Sequence, residues 1–195
     1  ITDLALELEQ DVLKENVGSQ DQIAASFGGL NLIEFNKEIN YKVKAIRLNE
    51  DVQNNFLSHL ILVYTGSTRF SSEITKTFVE NIQNKEKLIN RLHNMVYEGL
   101  NLLKNDDIIN FGKLLDESWK IKTQLSHNIT NNIIDDIYSL GKEKGAVGGK
   151  LLGAGSSGFL LFIVPKNNRK KFINGMKKFK VVEFNFDQDG TKIIY

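Results

Sequence analysis

The chain has 195 residues, 41% of them hydrophobic, and 25 Lys and Arg stand against 24 Asp and Glu for a net charge of +1. That length and apolar content suffice for one large domain or two small ones with a substantial core, while the near-neutral balance offers no footprint for nucleic acid or an anionic membrane. Cysteine is absent, which excludes disulfides, thiolate nucleophiles and Cys-type zinc sites and suits a reducing compartment, with cytoplasm as the expectation; no apolar run approaches the roughly 18 residues of a membrane span, and no basic and apolar signal pattern opens the chain.

The first predicted element is an amphipathic helix over residues 1–14, carried by Leu4, Leu6, Leu8, Val12 and Leu13 in ITDLALELEQDVL. It starts without a cap loop and reads as a cut end, so the chain is expected to be a piece of a longer polypeptide. VGSQDQ leads into a short helix that Gly28-Gly29 breaks, and LNLIEF and YKVKAIRL then alternate as two strands expected to pair. HLILVYTGS is a β-branched run ending in a turn. A long helical stretch follows, broken near Asn84-Lys85, Asn105-Asp106 and His127-Asn128. Ile108, Phe111, Leu115, Trp119 and Lys122 recur at helical spacing within it, which predicts a core position for Trp119. The tail alternates strand, helix over 169–179 and a last strand in VVEFNF. Lys42, Lys44 and Arg47 alternate along one strand as a solvated face, and His59, His93 and His127 lack metal-ligand spacing and read as structural or surface residues.

Two stretches carry chemistry. In KLLGAGSSGFLLFIV, Gly153, Gly155 and Gly158 satisfy GxGxxG, the pattern of a dinucleotide-binding strand, turn and helix. The element after Gly158 is instead the apolar run Phe-Leu-Leu-Phe-Ile-Val closed by Pro165, a strand, and Lys177 and Lys178 stand where a ribose-binding acid is required. A Rossmann reading is therefore rejected. A glycine-rich loop between two strands remains, either an anion-binding concavity of backbone N–H groups or a β-turn that needs glycine for its backbone angles.

In VGSQDQIAASFGGLNLIEF a single acid, Asp21, stands between Gln20 and Gln22, with Gly18 before it and Ala24, Ala25, Ser26, Gly28 and Gly29 after. Near a helix N-terminus the helix field favours its carboxylate, and small neighbours admit a substrate. The alternative is an N-cap aspartate. The flanking glutamines add hydrogen-bonding capacity suited to a polyhydroxy ligand.

Together, VGSQDQIAASFGG and GGKLLGAGSSGFLLFIV resemble the later motifs of the GHMP kinase superfamily of small-molecule kinases. QDQ, FGGLNLIEF and YTGSTRFSSEI most resemble its sugar-phosphate branch, over nearly the whole chain. The resemblance implies that Asp21 is the catalytic carboxylate facing the acceptor hydroxyl, that Gly18, Gln20, Gln22, Gly28 and Gly29 border the substrate, and that the loop Gly153, Ala154, Gly155, Ser156, Ser157 and Gly158 walls the transferred phosphate. Arg69, just before a helix with Ser71 and Ser72, is a candidate to hold a phosphate already on the sugar. The family's upstream Gly-Leu-Gly-Ser-Ser nucleotide loop has no counterpart in this sequence, nor do the magnesium ligands expected with it. ATP and Mg2+ are the implied cofactors, no metal site is expected within this chain, and the chain alone is expected to be inactive.

The expected architecture is α+β. Residues 1–50 form the tail of the GHMP kinase N-terminal catalytic domain, and 51–195 form a ferredoxin-like C-terminal domain with a helical insertion, its strands near 57–65, 147–152, 158–164 and 180–186 and its helices on one face. The implied function is ATP-dependent phosphorylation of a sugar or sugar phosphate hydroxyl, heptose 7-phosphate at its anomeric position, in nucleotide-activated heptose biosynthesis. The alternatives are a galactokinase-like or other GHMP kinase and a non-catalytic ligand-sensing homologue. A small-molecule sugar is the expected partner, with neither nucleic acid nor membrane, and a homodimer is the assembly to test. RNA binding on the sheet is rejected, because FLLFIV is too uniformly apolar to serve as an RNA-binding face.

Overall fold

The computed structural model describes residues 1–15, 18–36, 41–66, 85–125, 129–153, 155–192 and 194. The chain divides into two compact units, one made of Ile1–Asn49 with Asn185–Tyr195 and the other of Glu50–Phe184.

In the first unit, helix α1 (Thr2–Leu6) runs on into a π-helical stretch, Glu7–Val12. Helix α2 (Gln20–Phe27) carries the fully buried Ile23 on its inner face and ends at Gly28. Strands β1 (Asn31–Phe35) and β2 (Tyr41–Ala45) pair antiparallel with Ile33 opposite Val43, as their alternation predicts. Lys42, Lys44 and Arg47 are exposed, so their face is the solvated one. Gly28 and Gly29 have φ of 63° and 66°. A Cβ on Gly28 would come 2.3 Å from the Gly190 backbone nitrogen, and Gly29 N–H donates to Asp187 O at 2.6 Å. The space expected beside these glycines for a substrate is filled by the chain's own closing segment.

The second unit opens with helix α3 (Glu50–His59), then strand β3 (Leu60–Tyr64), helices α4 (Glu86–Lys104), α5 (Ile108–Leu125) and α6 (Asn132–Glu143), strands β4 (Gly148–Leu151) and β5 (Phe159–Ile163), helix α7 (Arg169–Gly175) and strand β6 (Val181–Val182). The sheet order is β4-β5-β3-β6, with every neighbouring pair antiparallel. With β4 and β5 as the central hairpin and helices in both crossovers, this is the ferredoxin-like arrangement, and β4 is an edge strand.

Three boundaries differ from the sequence reading. Residues 57–59 finish helix α3, whose first turn gains from Glu50 and Asp51, so β3 starts at Leu60. The last strand shrinks to Val181–Val182 because it pairs only with Leu62 and Val63. Helix α7 ends at Gly175, four residues before the expected stop at Phe179.

Alternation along the strands buries Ile61, Val63, Leu151, Leu160 and Phe162 on one face, against Trp119, Ile134, Ile137, Phe172 and Met176. Phe162 stacks on Tyr138 at 5.7 Å and meets Phe172 at 5.2 Å. Complete burial of such a side chain contributes about 1.5–3 kcal/mol. Trp119 is 3% exposed, as its spacing predicts. Helix α5 lies against β4 so closely that a Cβ on Gly148 would meet the Gly112 carbonyl oxygen at 1.8 Å. His59 is buried with Nδ1 2.8 Å from the Asn55 carbonyl oxygen, and His93 is exposed against Tyr97, both non-metal roles; His127 lies outside the described residues.

Candidate functional site

The sequence nominates one stretch in each unit. In the first, the N-cap of α2 is Ser19, whose side chain makes no capping bond and instead meets Gln10 Nε2 at 3.4 Å. Asp21 is the second helical residue, acidic in the first turn and exposed. The cap reading is thereby corrected, since Ser19 holds that place. Among the described residues the Asp21 side chain makes no hydrogen bond or ion pair. An exposed carboxylate in a helix first turn, stabilised by the helix field and without a partner among the described residues, is available to accept a proton or a hydrogen bond from a ligand.

The two glutamines flanking Asp21 separate in role. Gln20 is exposed. Gln22 is half-buried, its Nε2 donates to Glu9 Oε2, and its Oε1 is buried without a partner among the described residues. An orphaned buried acceptor calls for a donor such as a hydroxyl. Glu9 escaped the sequence reading, in which ITDLALELEQDVL yields only its apolar stripe; its partner lies 13 residues on. Gly18 is exposed, with open space where a Cβ would stand.

In the second unit the glycine loop joins β4 to β5 where the sequence places it, and the element after Gly158 is a strand, so the Rossmann reading stays rejected. Gly153, Gly155 and Gly158 have φ of 73°, 134° and 101°, and Ser156 joins them at 59°. Such angles expose successive backbone N–H groups and favour glycine. The loop is tied down from three sides. Lys122 Nζ donates to Gly153 O at 2.9 Å, Asn131 Nδ2 to Ser156 O at 3.1 Å, and both the backbone N–H and the Oγ1 of Thr65 to Gly158 O at 2.9 Å. Ser156 N–H bonds Ile129 O at 2.9 Å and Ser157 N–H bonds Gly155 O at 2.8 Å. Among the described residues the N–H groups of Gly153, Gly155 and Gly158 donate to no protein acceptor. A Cβ on Gly155 would stand 2.9 Å from Ile129 O, so close approach as well as φ selects glycine there. Ala154 and Arg69, with Ser71 and Ser72, lie outside the described residues.

Strand β4 is itself anchored beside this loop. Asp116, 8% exposed, accepts from Tyr138 OH at 2.6 Å, Lys142 Nζ at 3.0 Å and Lys120 Nζ at 2.8 Å. Tyr138 OH also reaches Gly149 O at 3.1 Å, and Lys142 reaches Val147 O at 2.7 Å. Burial, reinforced by the Asp116 carboxylate, pushes the Tyr138 hydroxyl well above its ordinary range. Burial also pulls the Lys150 ammonium on β4 below its ordinary value.

The strand, the clamped glycine loop and the second strand fall within residues 100–181, which match the family model described as GHMP kinases C terminal. The chain is 29% identical, over 98% of its length and 58% of the relative's, to a D-glycero-alpha-D-manno-heptose 7-phosphate kinase of Campylobacter jejuni. A galactokinase of Clostridium acetobutylicum is 33% identical over 46% of this chain and 24% of its own. The fold superposes, with a TM-score of 0.75 at 23% identity, on all of this chain and 55% of a D-glycero-D-manno-heptose 1-phosphate kinase from Bacteroides thetaiotaomicron. The chain thus spans a little over half the length of these heptose kinase relatives. Among the described residues no helix is long and apolar enough to cross a membrane.

Proposed function

We propose that the protein to which this chain belongs transfers the terminal phosphoryl group of ATP to a hydroxyl of a sugar phosphate, with heptose 7-phosphate and its anomeric hydroxyl as acceptor, in the making of a nucleotide-activated heptose in the cytoplasm. The observation that carries this reading is Asp21, an exposed carboxylate in the first turn of α2 that does not cap the helix and pairs with no side chain among the described residues. Alignment with the C. jejuni heptose 7-phosphate kinase over 98% of the chain supports the acceptor class.

Phosphoryl transfer depends on positioning and on neutralising charge rather than on covalent chemistry by the protein. Asp21 accepts the hydrogen bond of the acceptor hydroxyl, holds its oxygen toward the phosphorus and takes the proton late. Gln20 and the buried Gln22 Oε1 bind further hydroxyls of the sugar. The N–H groups of Gly153, Gly155 and Gly158, which have no acceptor among the described residues, hold the oxygens of the group in flight, as fixed donors of that kind do. Arg69 carries the phosphate already on the sugar, a role assigned on sequence alone. Residues 1–50 form the tail of the catalytic domain, and the nucleotide cradle comes from outside this chain, which is inactive by itself.

Magnesium supplies charge neutralisation at the triphosphate when the nucleotide is bound. Among the described residues no group of three or more His, Cys, Asp or Glu is arranged to hold a metal ion.

Asp21→Asn tests the reading. It keeps size and hydrogen bonding but removes the base, so kcat of the whole protein should fall by roughly 10² or more with Tm unchanged. An unchanged kcat overturns the assignment. Ligand binding without turnover in the wild type points to the sensing homologue instead.

A further inference from the structure

In the glycine loop, peptide groups that are held are interspersed with peptide groups whose N–H has no acceptor among the described residues. The group between residues 153 and 154 is fixed by Lys122 at the Gly153 oxygen. The group between 155 and 156 is fixed at both ends, by Ser157 N–H at one oxygen and Ile129 O at the Ser156 N–H. Asn131 fixes the group between 156 and 157, and Thr65 the one between 158 and 159. The N–H groups of Gly153, Gly155 and Gly158, which have no acceptor among the described residues, belong to the peptide groups that flank these. Each peptide group is planar, so fixing its neighbours leaves a free one few orientations, even at glycines that would otherwise roam. Lys122 holds the one group that lies between the donors of Gly153 and Gly155. It comes from helix α5, 31 residues upstream.

We infer that Lys122 is a positioning residue, which by gripping the Gly153 carbonyl presets the N–H groups of Gly153 and Gly155 for a phosphoryl oxygen. The inference rests on the phosphoryl-transfer reading above. Its energetic logic is that donors already aimed need no reorganisation as charge develops; displacing such donors by about 1 Å costs up to roughly 10²-fold in rate. Thr65, which holds the Gly158 carbonyl through its hydroxyl, acts likewise on the Gly158 donor.

The test uses the whole protein labelled with 15N-glycine, inorganic phosphate as the probe, and steady-state kinetics. In the wild type, phosphate should shift the amide resonances of Gly153, Gly155 and Gly158. Lys122→Met, which keeps the length and apolar stem of the half-buried side chain, should fold normally, weaken the phosphate response of Gly153 and Gly155, and lower kcat about tenfold, with KM for the sugar unchanged. Lys122→Arg, which restores the donor, should recover both. Thr65→Val should weaken the Gly158 response and spare the other two. If Lys122→Met lowers kcat while the glycine responses stay as in wild type, the ammonium acts directly on the phosphate and the inference is overturned. Unchanged kinetics and unchanged responses overturn it as well. Absence of any phosphate response in the wild type, or of phosphoryl transfer, overturns the phosphoryl reading itself and the inference with it.

Discussion

Replacing Asp116 by Asn removes the charge at the node that joins helices α5 and α6 to strand β4. The Asp116 side chain is 12% exposed and that of Lys142 is 34% exposed, whereas that of Lys120 is 68% exposed, so the Lys120 contact adds little. The bonds from Tyr138 and Lys142 to an ionised, buried partner are worth about 1.5–3 kcal/mol each when fully desolvated. The partial exposure of Lys142 and the remaining acceptor of Asn, which still serves Tyr138, reduce the expected loss to about 2 kcal/mol. At about 2–4 °C per kcal/mol for a chain of this size, Tm should drop by about 4–8 °C at neutral pH, measured by thermal unfolding. Burial by itself would raise the Asp116 carboxyl, but hydrogen bonds from Lys120, Tyr138 and Lys142 outweigh it and hold the group below the ordinary carboxylate range. A depressed folded pKa contributes stability that is complete above the unfolded value and is lost as pH falls through the folded one. The Tm gap between wild type and Asp116→Asn should therefore be constant from neutral pH down to about 4 and close below that. A gap under about 1 °C at pH 7, or one that persists undiminished at strongly acid pH, refutes the reasoning.

Lys150 should behave in the opposite sense. Its half-buried ammonium is held below the ordinary 10.5 by burial, so the folded state is penalised below the folded pKa and relieved as pH rises toward the unfolded one. Lys150→Met should raise Tm at pH 7, with the gain shrinking toward pH 10; a lower Tm at pH 7 would give Lys150 a stabilising partner instead. For Arg69, kcat/KM with heptose 7-phosphate should exceed that with free heptose, and Arg69→Ala should abolish the preference in a double-mutant cycle, since a charge-assisted contact contributes about 1.5–3 kcal/mol. Equal rates on both sugars in the wild type would favour a galactokinase-like acceptor, and a preference intact in the variant would move the phosphate to other cations.

What the sequence conveyed about the fold follows how local each signal is. FLLFI and LILVY are short β-branched or aromatic runs bounded by turns, and both are strands. Helices α4 and α5 keep an apolar stripe over 19 and 18 residues, long enough for the period to be read. Helix α3 was invisible because EDVQNNFLSH carries two adjacent Asn and buries only Phe56 and His59; its C-terminal Phe56 and Leu57 run without a break into the apolar strand. VVEFNF alternates as a strand should, but pairing needs a neighbour, and β3 offers it only two residues. Gly28-Gly29 is equally instructive. The pair was legible as a break, but its close-packed partner at Asp187–Gly190 lies at the far end of the chain.

The site divides along the same line. Asp21 and the three loop glycines stood out because residue type and immediate neighbours identify them. Lys122, Asn131 and Thr65 carried no such signal, since each reaches the loop from 31, 25 and 93 residues away. Their logic lies in the sheet. β4 is an edge strand, and an edge exposes a row of carbonyls that must be covered or hydrated. Lys142 covers Val147 O, Tyr138 covers Gly149 O, and Lys122 takes Gly153 O where the strand becomes the loop. Side chains of α6 thus cover the edge and one from α5 takes the first carbonyl beyond it, so the helices that keep β4 from pairing with foreign strands also fix the start of the glycine loop. Loosening the Asp116 node, which holds Lys142 and Tyr138 at that edge, should therefore blur the loop as well as lower Tm. In Asp116→Asn, kcat should fall by more than the unfolded fraction accounts for at a temperature well below its Tm; a kcat equal to wild type there would show that edge and loop are independent.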